Sequence, residues 1–183
     1  MSLREIETAR LRMRPCTPDD VDELHRLWTD PGVRKYLWDD AVIPRETAEE
    51  VVNVSMETFS TRGFGFWVVM LREEQAIIGF CGFRLFDDPP EVEILYGIYP
   101  EYWGQGLATE AAKAMIRCGF EEHGFARIWA GADPPNAASF RVMKRSGMKY
   151  AKQIRVGELD AIYYEIRRQD FQPDDSVYIL RKD

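Results

Sequence analysis

Apolar residues recur along this 183-residue chain with two different periods, which predict alternating strands and helices. Alternation of apolar and polar positions is typical of strands. It occurs at residues 8–15, 64–71, 76–86, 91–99, 126–132, 150–156 and 160–168. Apolar residues three or four apart are typical of helices. They occur at residues 18–29, 44–62, 107–123 and 136–146. The pattern predicts one α/β domain of the α+β type, with a mixed, mostly antiparallel sheet of about seven strands.

The order of these elements predicts how the strands pair. Three consecutive strands between residues 64 and 99 are joined by short turns, which favours an antiparallel meander. The strand at 126–132 follows a helix, so it should run parallel to the strand before it. The aromatic segment 33–43 is either a short helix on the core or a lip of a substrate cleft. The tail 169–183 carries no functional motif, and packing on a partner subunit is one role it could have.

Composition narrows the class of protein. The chain is 45% hydrophobic and 30% charged, as expected of a soluble globular domain. Its net charge of -7 argues against nucleic acid as a partner. The acidic balance serves solubility or favours a cationic substrate. No apolar leader and no run of membrane-spanning length is present, so no membrane partner is expected.

Cysteine and histidine usage predicts no metal site and no disulfide framework. The three cysteines are odd in number and far apart, and His25 and His123 both fall in helical stretches. Such spacing predicts reduced thiols and a cytoplasmic location. A covalent cysteine mechanism is not expected, because no histidine neighbours any cysteine closely enough to activate it.

The most informative stretch joins the strand at 91–99 to the helix that begins at Leu107. Gly104 and Gly106 stand between the two elements. Glycines permit close approach of the backbone, and the free N–H groups of a first helical turn attract anions. The stretch therefore predicts a phosphate site, although an ordinary glycine turn is the alternative. It lacks the P-loop spacing, and Thr109 departs from the dinucleotide fingerprint.

Two motifs resemble those of the GCN5-related N-acetyltransferases. Trp-Gly-Gln-Gly-Leu-Ala, at 103–108, resembles the family's pyrophosphate loop, with Trp103 in the place of the usual Gln or Arg, as in the RimJ/RimL-like branch. Asn-Ala-Ala-Ser and the following residues up to 148 resemble the family's second motif. The likeness extends over residues 8–168 of the single domain, 1–183, and leaves the tail 169–183 outside.

This resemblance implies a fold with helices on both faces of the sheet and a splayed parallel strand pair that holds acetyl-CoA. It implies no metal. The residues that it assigns to the acyl donor are Ile98, Tyr99, Trp103, Gly104, Gln105, Gly106, Leu107, Ala108, Thr109, Asn136 and Ser139. The backbone groups of Ile98 and Tyr99 would pair with the pantetheine arm, and the N–H groups from Gly104 onward would hold the pyrophosphate.

Two residues are candidates for the chemistry. Glu93 resembles the Glu of the branch's Glu-Ile-Gly-Tyr stretch and is the candidate base, with Glu91 as the fallback and a solvated carboxylate as the structural alternative. Ser139 is the candidate proton donor to the departing CoA thiolate. Many members of the family use a tyrosine shortly after the Asn, but no tyrosine lies in this helix. The alternative is that Ser139 is a second helix-cap serine. Cys81 lines the acceptor cleft or is a buried, inert thiol.

The predicted function is acetyl transfer from acetyl-CoA to a primary amine by direct attack in a ternary complex. The acceptor is the N-terminal α-amine of a protein, for which a ribosomal protein is an example, or a small amine such as an aminoglycoside or polyamine. A non-catalytic CoA-binding or interaction module is the alternative outside enzymes. The resemblance allows a monomer or a homodimer.

Overall fold

A computed structural model describes residues 3–183, and for residues 3, 4 and 156 it describes the backbone alone. Within that range there are five α-helices: α1 (Val21–Thr29), α2 (Pro31–Leu37), α3 (Arg45–Arg62), α4 (Leu107–Glu121) and α5 (Ala137–Arg145). There are nine strands: β1 (Leu3–Glu7), β2 (Leu11–Pro15), β3 (Phe66–Leu71), β4 (Ile77–Phe86), β5 (Glu91–Ile98), β6 (Arg127–Ala132), β7 (Lys149–Val156), β8 (Leu159–Arg167) and β9 (Ile179–Lys182).

The nine strands of the described range form one sheet in the order β7-β8-β6-β5-β4-β3-β2-β1-β9. Neighbouring strands are antiparallel except for β5 and β6, which are parallel. The predicted meander and the predicted parallel pair are therefore confirmed. Residues 1 and 2 of the predicted domain lie outside the described residues.

Helices cover both faces of the sheet, as predicted, and each face has its own core. On one face, Leu24, Trp28 and Val52 from α1 and α3 pack against Val68 and Phe80. On the other face, α4 and α5 cover the sheet, and the buried residues there include Phe83, Ile94, Met115, Ile128 and Met143. None of the helices in residues 3–183 combines the length and the apolar character needed to span a bilayer.

The predicted strand count is low by two, because both ends of the chain are also strands. In addition, the first predicted strand begins later than predicted, at Leu11. Residues 8–10 are a turn: the Leu11 N–H donates to Thr8 Oγ1 at 3.0 Å, and the Thr8 N–H donates to the Leu11 carbonyl at 2.9 Å. The tail returns to the sheet as β9, which pairs with β1 at Ile6 and Leu180. The tail thus extends its own chain's sheet.

A buried carboxylate fixes the start of α1. Asp20 accepts the Thr17 N–H at 2.8 Å and both guanidinium nitrogens of Arg14 at 2.7 and 2.9 Å. Pro18 precedes it in a short 3-10 turn, where a missing N–H costs nothing. Burial raises the pKa of Asp20, but the hydrogen bonds from Arg14 and Thr17 outweigh it and leave the pKa lowered.

We expect Asp20→Asn to lower the free energy of unfolding by about 1.5–3 kcal/mol at neutral pH, because it removes charge-assisted hydrogen bonds at a buried site. The stabilisation should be complete above the unfolded pKa of about 3.9. Because the pKa of Asp20 is lowered in the folded protein, the difference in unfolding free energy between wild type and Asp20→Asn should shrink as the pH falls below the unfolded pKa and through the native pKa. Urea unfolding at several pH values measures this difference.

Asp22→Asn is the matched control. Asp22 lies in the same helix start, and its ion pair with Arg45 is exposed, so the change should stay within about 0.5 kcal/mol. Equal losses in both variants would show that the buried cap contributes nothing beyond surface charge.

Candidate active site

The parallel strands β5 and β6 part after a single register pair, Glu93 with Trp129. Beyond that pair lies a cavity of about 850 Å³. The last five residues of β5, from Ile94 to Ile98, line one side, and Gly131 and Ala132 of β6 line the other. The predicted splayed pair is present, and its opening leads to the N-terminus of α4.

A left-handed turn connects β5 to α4 at the mouth of this cavity. Gly104 and Gly106 have φ angles of 75° and 77°, a backbone conformation that strains any residue with a side chain. Gly106 also precedes the first residue of α4, and no side chain caps the helix there. As in every α-helix, the first N–H groups have no intrahelical partner, and here no side chain takes its place. Gly106, Leu107, Ala108 and Thr109 all line the cavity, so the turn presents donors to an anion.

Arg10 holds this turn from the β1–β2 connection. Its Nη1 donates to the Gln105 carbonyl at 2.7 Å, and its Nε donates to Glu110 at 2.7 Å. Glu110 also accepts the Thr8 hydroxyl at 2.6 Å and the Arg10 N–H at 2.8 Å. Burial raises the pKa of Glu110, but these donors outweigh it and leave the pKa lowered. The ionised Glu110 thereby links the turn to a segment 100 residues earlier.

The charges that line the cavity are all positive. Lys35, Arg141 and Arg145 are its ionisable cations, and no Asp or Glu is among its described lining residues. Arg141 and Arg145 lie four residues apart on α5, hence on one face of the helix. Neither has a carboxylate partner in the part of the chain that the structure describes. The cavity therefore favours an anion although the whole chain is acidic.

Most residues that the sequence assigned to the acyl donor meet in this one cavity. Its lining includes Ile98, Trp103, Gly104, Gly106, Leu107, Ala108, Thr109, Asn136 and Ser139. Tyr99 instead packs against the core of α1–α3, and Gln105 contributes its carbonyl to Arg10. The first part of the 33–43 segment belongs to α2, which packs Val33 into the core, so the alternative of a short helix on the core is confirmed. Lys35, Tyr36 and Leu37 also line the cavity, and the role of the segment as a lip of a substrate cleft stays a prediction.

Trp103 provides a hydrogen-bond donor for a β5 carbonyl that β6 does not reach. Its Nε1 donates to the Ile98 carbonyl at 2.7 Å, and the far edge of the indole lies against Gly32 at the start of α2. The ring is about half exposed, with a relative accessibility of 55%. A side chain thus takes the hydrogen bond that the parted neighbouring strand does not supply.

Glu93 is buried at the last register pair, so the alternative of a solvated carboxylate is wrong. It has a relative accessibility of 4%, and it accepts Arg84 Nε at 2.7 Å. Burial raises its pKa, and Arg84 opposes the rise without cancelling it. Glu93 does not line the cavity itself; the next residue, Ile94, does. Glu91 forms an ion pair with Arg127 and accepts Trp129 Nε1 at 3.2 Å.

Ser139 lies in the first turn of α5 and has a partner that sequence reasoning missed. The Asn136 side chain caps the helix by accepting the Ser139 N–H at 3.2 Å. The Ser139 hydroxyl lies 2.8 Å from the hydroxyl of Tyr96. The available signal was the alternation of β5, which places Tyr96 on the same face as Ile94 and Ile98. Cys81, by contrast, is a buried thiol whose pKa is raised by burial and which is not part of the cavity lining.

We expect Glu110→Gln to weaken binding of CoA, the ligand predicted from the sequence, about tenfold, because it removes the charge that holds Arg10 against the turn at Gly104 and Gly106. Isothermal titration calorimetry with CoA measures the change. Glu121→Gln is the control: it removes an exposed ion pair with Arg117 on the same helix, far from the turn. Its dissociation constant should match wild type, and an equal loss in the two variants would contradict a specific role for the clamp.

Comparison with known proteins gives one consistent answer. The family model described as an acetyltransferase (GNAT) domain matches residues 10–149. The uncharacterised N-acetyltransferase YnaD of Bacillus subtilis is 31% identical over 172 residues, which cover 91% of this chain and 98% of YnaD. A GNAT-family acetyltransferase structure from Bacillus anthracis superposes with a TM-score of 0.75 at 29% identity, over 90% of this chain and 99% of that one.

A more distant structure has the same fold. RimL, named as a ribosomal L7/L12 α-N-protein acetyltransferase and solved in complex with coenzyme A, has a TM-score of 0.73 at 19% identity. The match covers 87% of this chain and 95% of RimL.

Proposed function

The chain belongs to the acetyltransferase (GNAT) family, and on that premise we propose that it transfers the acetyl group of acetyl-CoA to the α-amine of a protein N-terminus. One observation carries the proposal of the donor. A cavity whose charged lining residues are all cations begins at a free helix N-terminus and runs between two parted strands. CoA is an extended, amide-containing chain with a pyrophosphate, so its shape and charge match this cavity.

The residues present fit that donor from end to end. The turn at Gly104 and Gly106 and the first N–H groups of α4 would hold the pyrophosphate, where the helix dipole adds about 0.3–1 kcal/mol per favourable charge. Arg141 and Arg145 of α5 line the same cavity and would meet the remaining phosphate charge. The edge of β5 between Ile94 and Ile98 would pair with the pantetheine amides. RimL, which has the same fold, is named as a complex with coenzyme A, and this supports CoA as the ligand.

The chemistry requires a neutral amine next to the thioester. Bringing two bound reactants into position supplies up to about 7–11 kcal/mol of the barrier. Deprotonating an α-amine of pKa about 7.7–8.0 at pH 7 costs roughly 1 kcal/mol, whereas a lysine near 10.4 costs about 4.6 kcal/mol. A single carboxylate acting through water is sufficient for the α-amine, which favours that acceptor.

We assign the base to Glu93 and the hydrogen bond that stabilises the departing CoA thiolate to Ser139. Glu93 belongs to the strand that carries the cavity, one residue before its lining begins, and its raised pKa suits a general base. Ser139 lines the cavity at the start of α5. RimL, by its name, acts on an α-amine of a ribosomal protein, which supports the RimJ/RimL-like branch. Three buried free thiols support a reducing compartment, the cytoplasm.

An acetyl-transfer panel tests the acceptor. Peptides with a free α-amine, an aminoglycoside and a polyamine are each incubated with acetyl-CoA, and CoA thiol release is followed. The highest kcat/KM is expected for a peptide. A preference for the aminoglycoside or the polyamine would replace the acceptor, and CoA binding without transfer to any amine would identify a non-catalytic CoA-binding protein.

Glu93→Gln should lower kcat about a hundredfold with the best acceptor and leave the dissociation constant of acetyl-CoA unchanged. Because a base works only when unprotonated, wild-type activity should fall as the pH drops through the pKa of Glu93. Burial raises that pKa above the ordinary 4.5, so the acidic limb should lie above pH 4.5. This limb should be absent in the variant, whose activity falls at low pH only because the acceptor amine, of pKa about 7.7–8.0, becomes protonated. Glu91→Gln is the comparison: a loss confined to that variant would assign the base to Glu91.

Arg141→Gln combined with Arg145→Gln should weaken CoA binding about tenfold at low salt, because it removes the two unpaired arginines of the cavity. The difference should narrow at 1 M salt, where charges are screened beyond about 3 Å. Lys144→Gln removes one charge from the same helix outside the cavity lining and should change the affinity less than twofold. If the loss of affinity per charge removed were the same in the Lys144→Gln variant as in the double variant, only the net charge of α5 would matter.

A further inference from the structure

Tyr96 and Ser139 join the central strand β5 to helix α5 inside the cavity. The Tyr96 hydroxyl lies 2.8 Å from Ser139 Oγ and 3.1 Å from the Ser139 carbonyl oxygen. Both residues line the cavity, and 43 residues separate them along the chain. The phenol therefore contacts two oxygens of one residue at the place where the sulfur of CoA is proposed to lie.

The number of protons distinguishes two arrangements. Tyr96 has one hydroxyl proton, and the Ser139 carbonyl can only accept. If Tyr96 donates to the carbonyl, Ser139 donates its own proton to Tyr96 and has none for the cavity. If Tyr96 donates to Ser139 Oγ, the serine proton is free to point at a ligand. The second arrangement alone makes Ser139 a donor to sulfur.

Three helix threonines in this chain have hydroxyls that are held by their own helices. Thr29, Thr58 and Thr61 donate to the carbonyl four residues earlier, at 2.7, 2.8 and 2.8 Å. Such backbone bonds are the usual fate of Ser and Thr within helices. Within residues 3–183, the Ser139 hydroxyl has Tyr96 as its side-chain partner instead. Tyr96 thus holds the hydroxyl away from the backbone.

We propose that Tyr96 is a positioning residue that acts through Ser139: its hydroxyl donates to Ser139 Oγ and thereby directs the serine proton to the sulfur of the departing CoA. This inference rests on the proposed function. It goes further by assigning a role to a strand residue outside both family motifs.

The proton balance closes without any additional reactant. The amine nitrogen forms a bond to the acetyl carbon, the carbon–sulfur bond breaks, and the sulfur leaves with the electron pair. Nitrogen loses one proton, which Glu93 takes up through water, and sulfur gains one proton from water. Tyr96 and Ser139 keep their own protons at the end of the cycle, so their role is to stabilise the thiolate while the proton arrives. Burial also raises the pKa of Tyr96, so the phenol stays protonated and remains a donor.

Titration of the CoA thiol bound to the protein tests this role without any acceptor. Ultraviolet absorbance reports the thiolate as the pH is raised. In Tyr96→Phe the pKa of the bound thiol should be about one unit higher than in wild type, a tenfold change in thiolate stabilisation. The dissociation constant of acetyl-CoA should stay within twofold of wild type, since the thioester carries no thiolate.

Two further variants separate positioning from general structural effects. Tyr164→Phe removes a phenol from β8 that packs on α5 through Phe140, with ring centroids 5.6 Å apart, and should leave the bound-thiol pKa unchanged. In a Ser139→Ala background, Tyr96→Phe should not change the bound-thiol pKa further, because the serine hydroxyl through which Tyr96 acts is already absent.

The outcomes distinguish this inference from the proposed function. CoA that binds with the same thiol pKa in wild type and Tyr96→Phe would overturn the role of Tyr96 and leave the acetyltransferase proposal intact. An equal shift in the Ser139→Ala background would also overturn it, because Tyr96 would then act independently of Ser139. Failure to bind CoA at all would overturn the proposed function and this inference together.

Discussion

Two parallel strands that are joined at one register pair and then part impose a condition on everything around them. Backbone N–H and C=O groups inside a protein need hydrogen-bond partners. Past Glu93 and Trp129, β5 and β6 no longer supply them to each other. The surroundings respond in two ways: Trp103 donates its indole N–H to the Ile98 carbonyl, and the rest of the edge faces an open cavity. The opening that defines the site is therefore a polar edge that a ligand with amides can complete.

Features carried by a few consecutive residues could be predicted from the sequence. The glycine turn, the helix after it and the meander of β3 to β5 depend on local periodicity and turn chemistry, and all are present. Strand β9 was missed because its reason for being a strand is not local, whereas β1, which also pairs with the adjacent β2, was missed because three of its five residues are charged. β1 has the sequence Leu-Arg-Glu-Ile-Glu, and its neighbour β9 lies at the other end of the chain. Pairing across that separation leaves no signature in either segment.

The site divides along the same line. Glycine and asparagine positions in the two motifs were visible, because their spacing is fixed by one turn or one helix cap. The contacts that orient these motifs join distant segments: Arg10 holds Glu110, and Tyr96 meets Ser139. The surroundings of Glu93 were also hidden, since the burial of its carboxylate beside Arg84 depends on the register of β4 and β5. Sequence identified the residues that line the cavity better than it identified the contacts that hold them.

Net charge and local charge lead to opposite expectations here, and the local value governs binding. The chain carries seven more acidic than basic residues, yet every side chain that is charged at neutral pH among the described lining residues of the cavity is a cation. An acidic surface alone would suggest a cationic ligand at any opening. The carboxylates near the split, Glu91 and Glu93, are instead each paired with an arginine and lie outside the lining. The free N–H groups of α4 and the arginines of α5 thus line the cavity, and the carboxylates lie at the joined end of the strands. On the proposed function, this separation keeps the anionic donor away from the carboxylates.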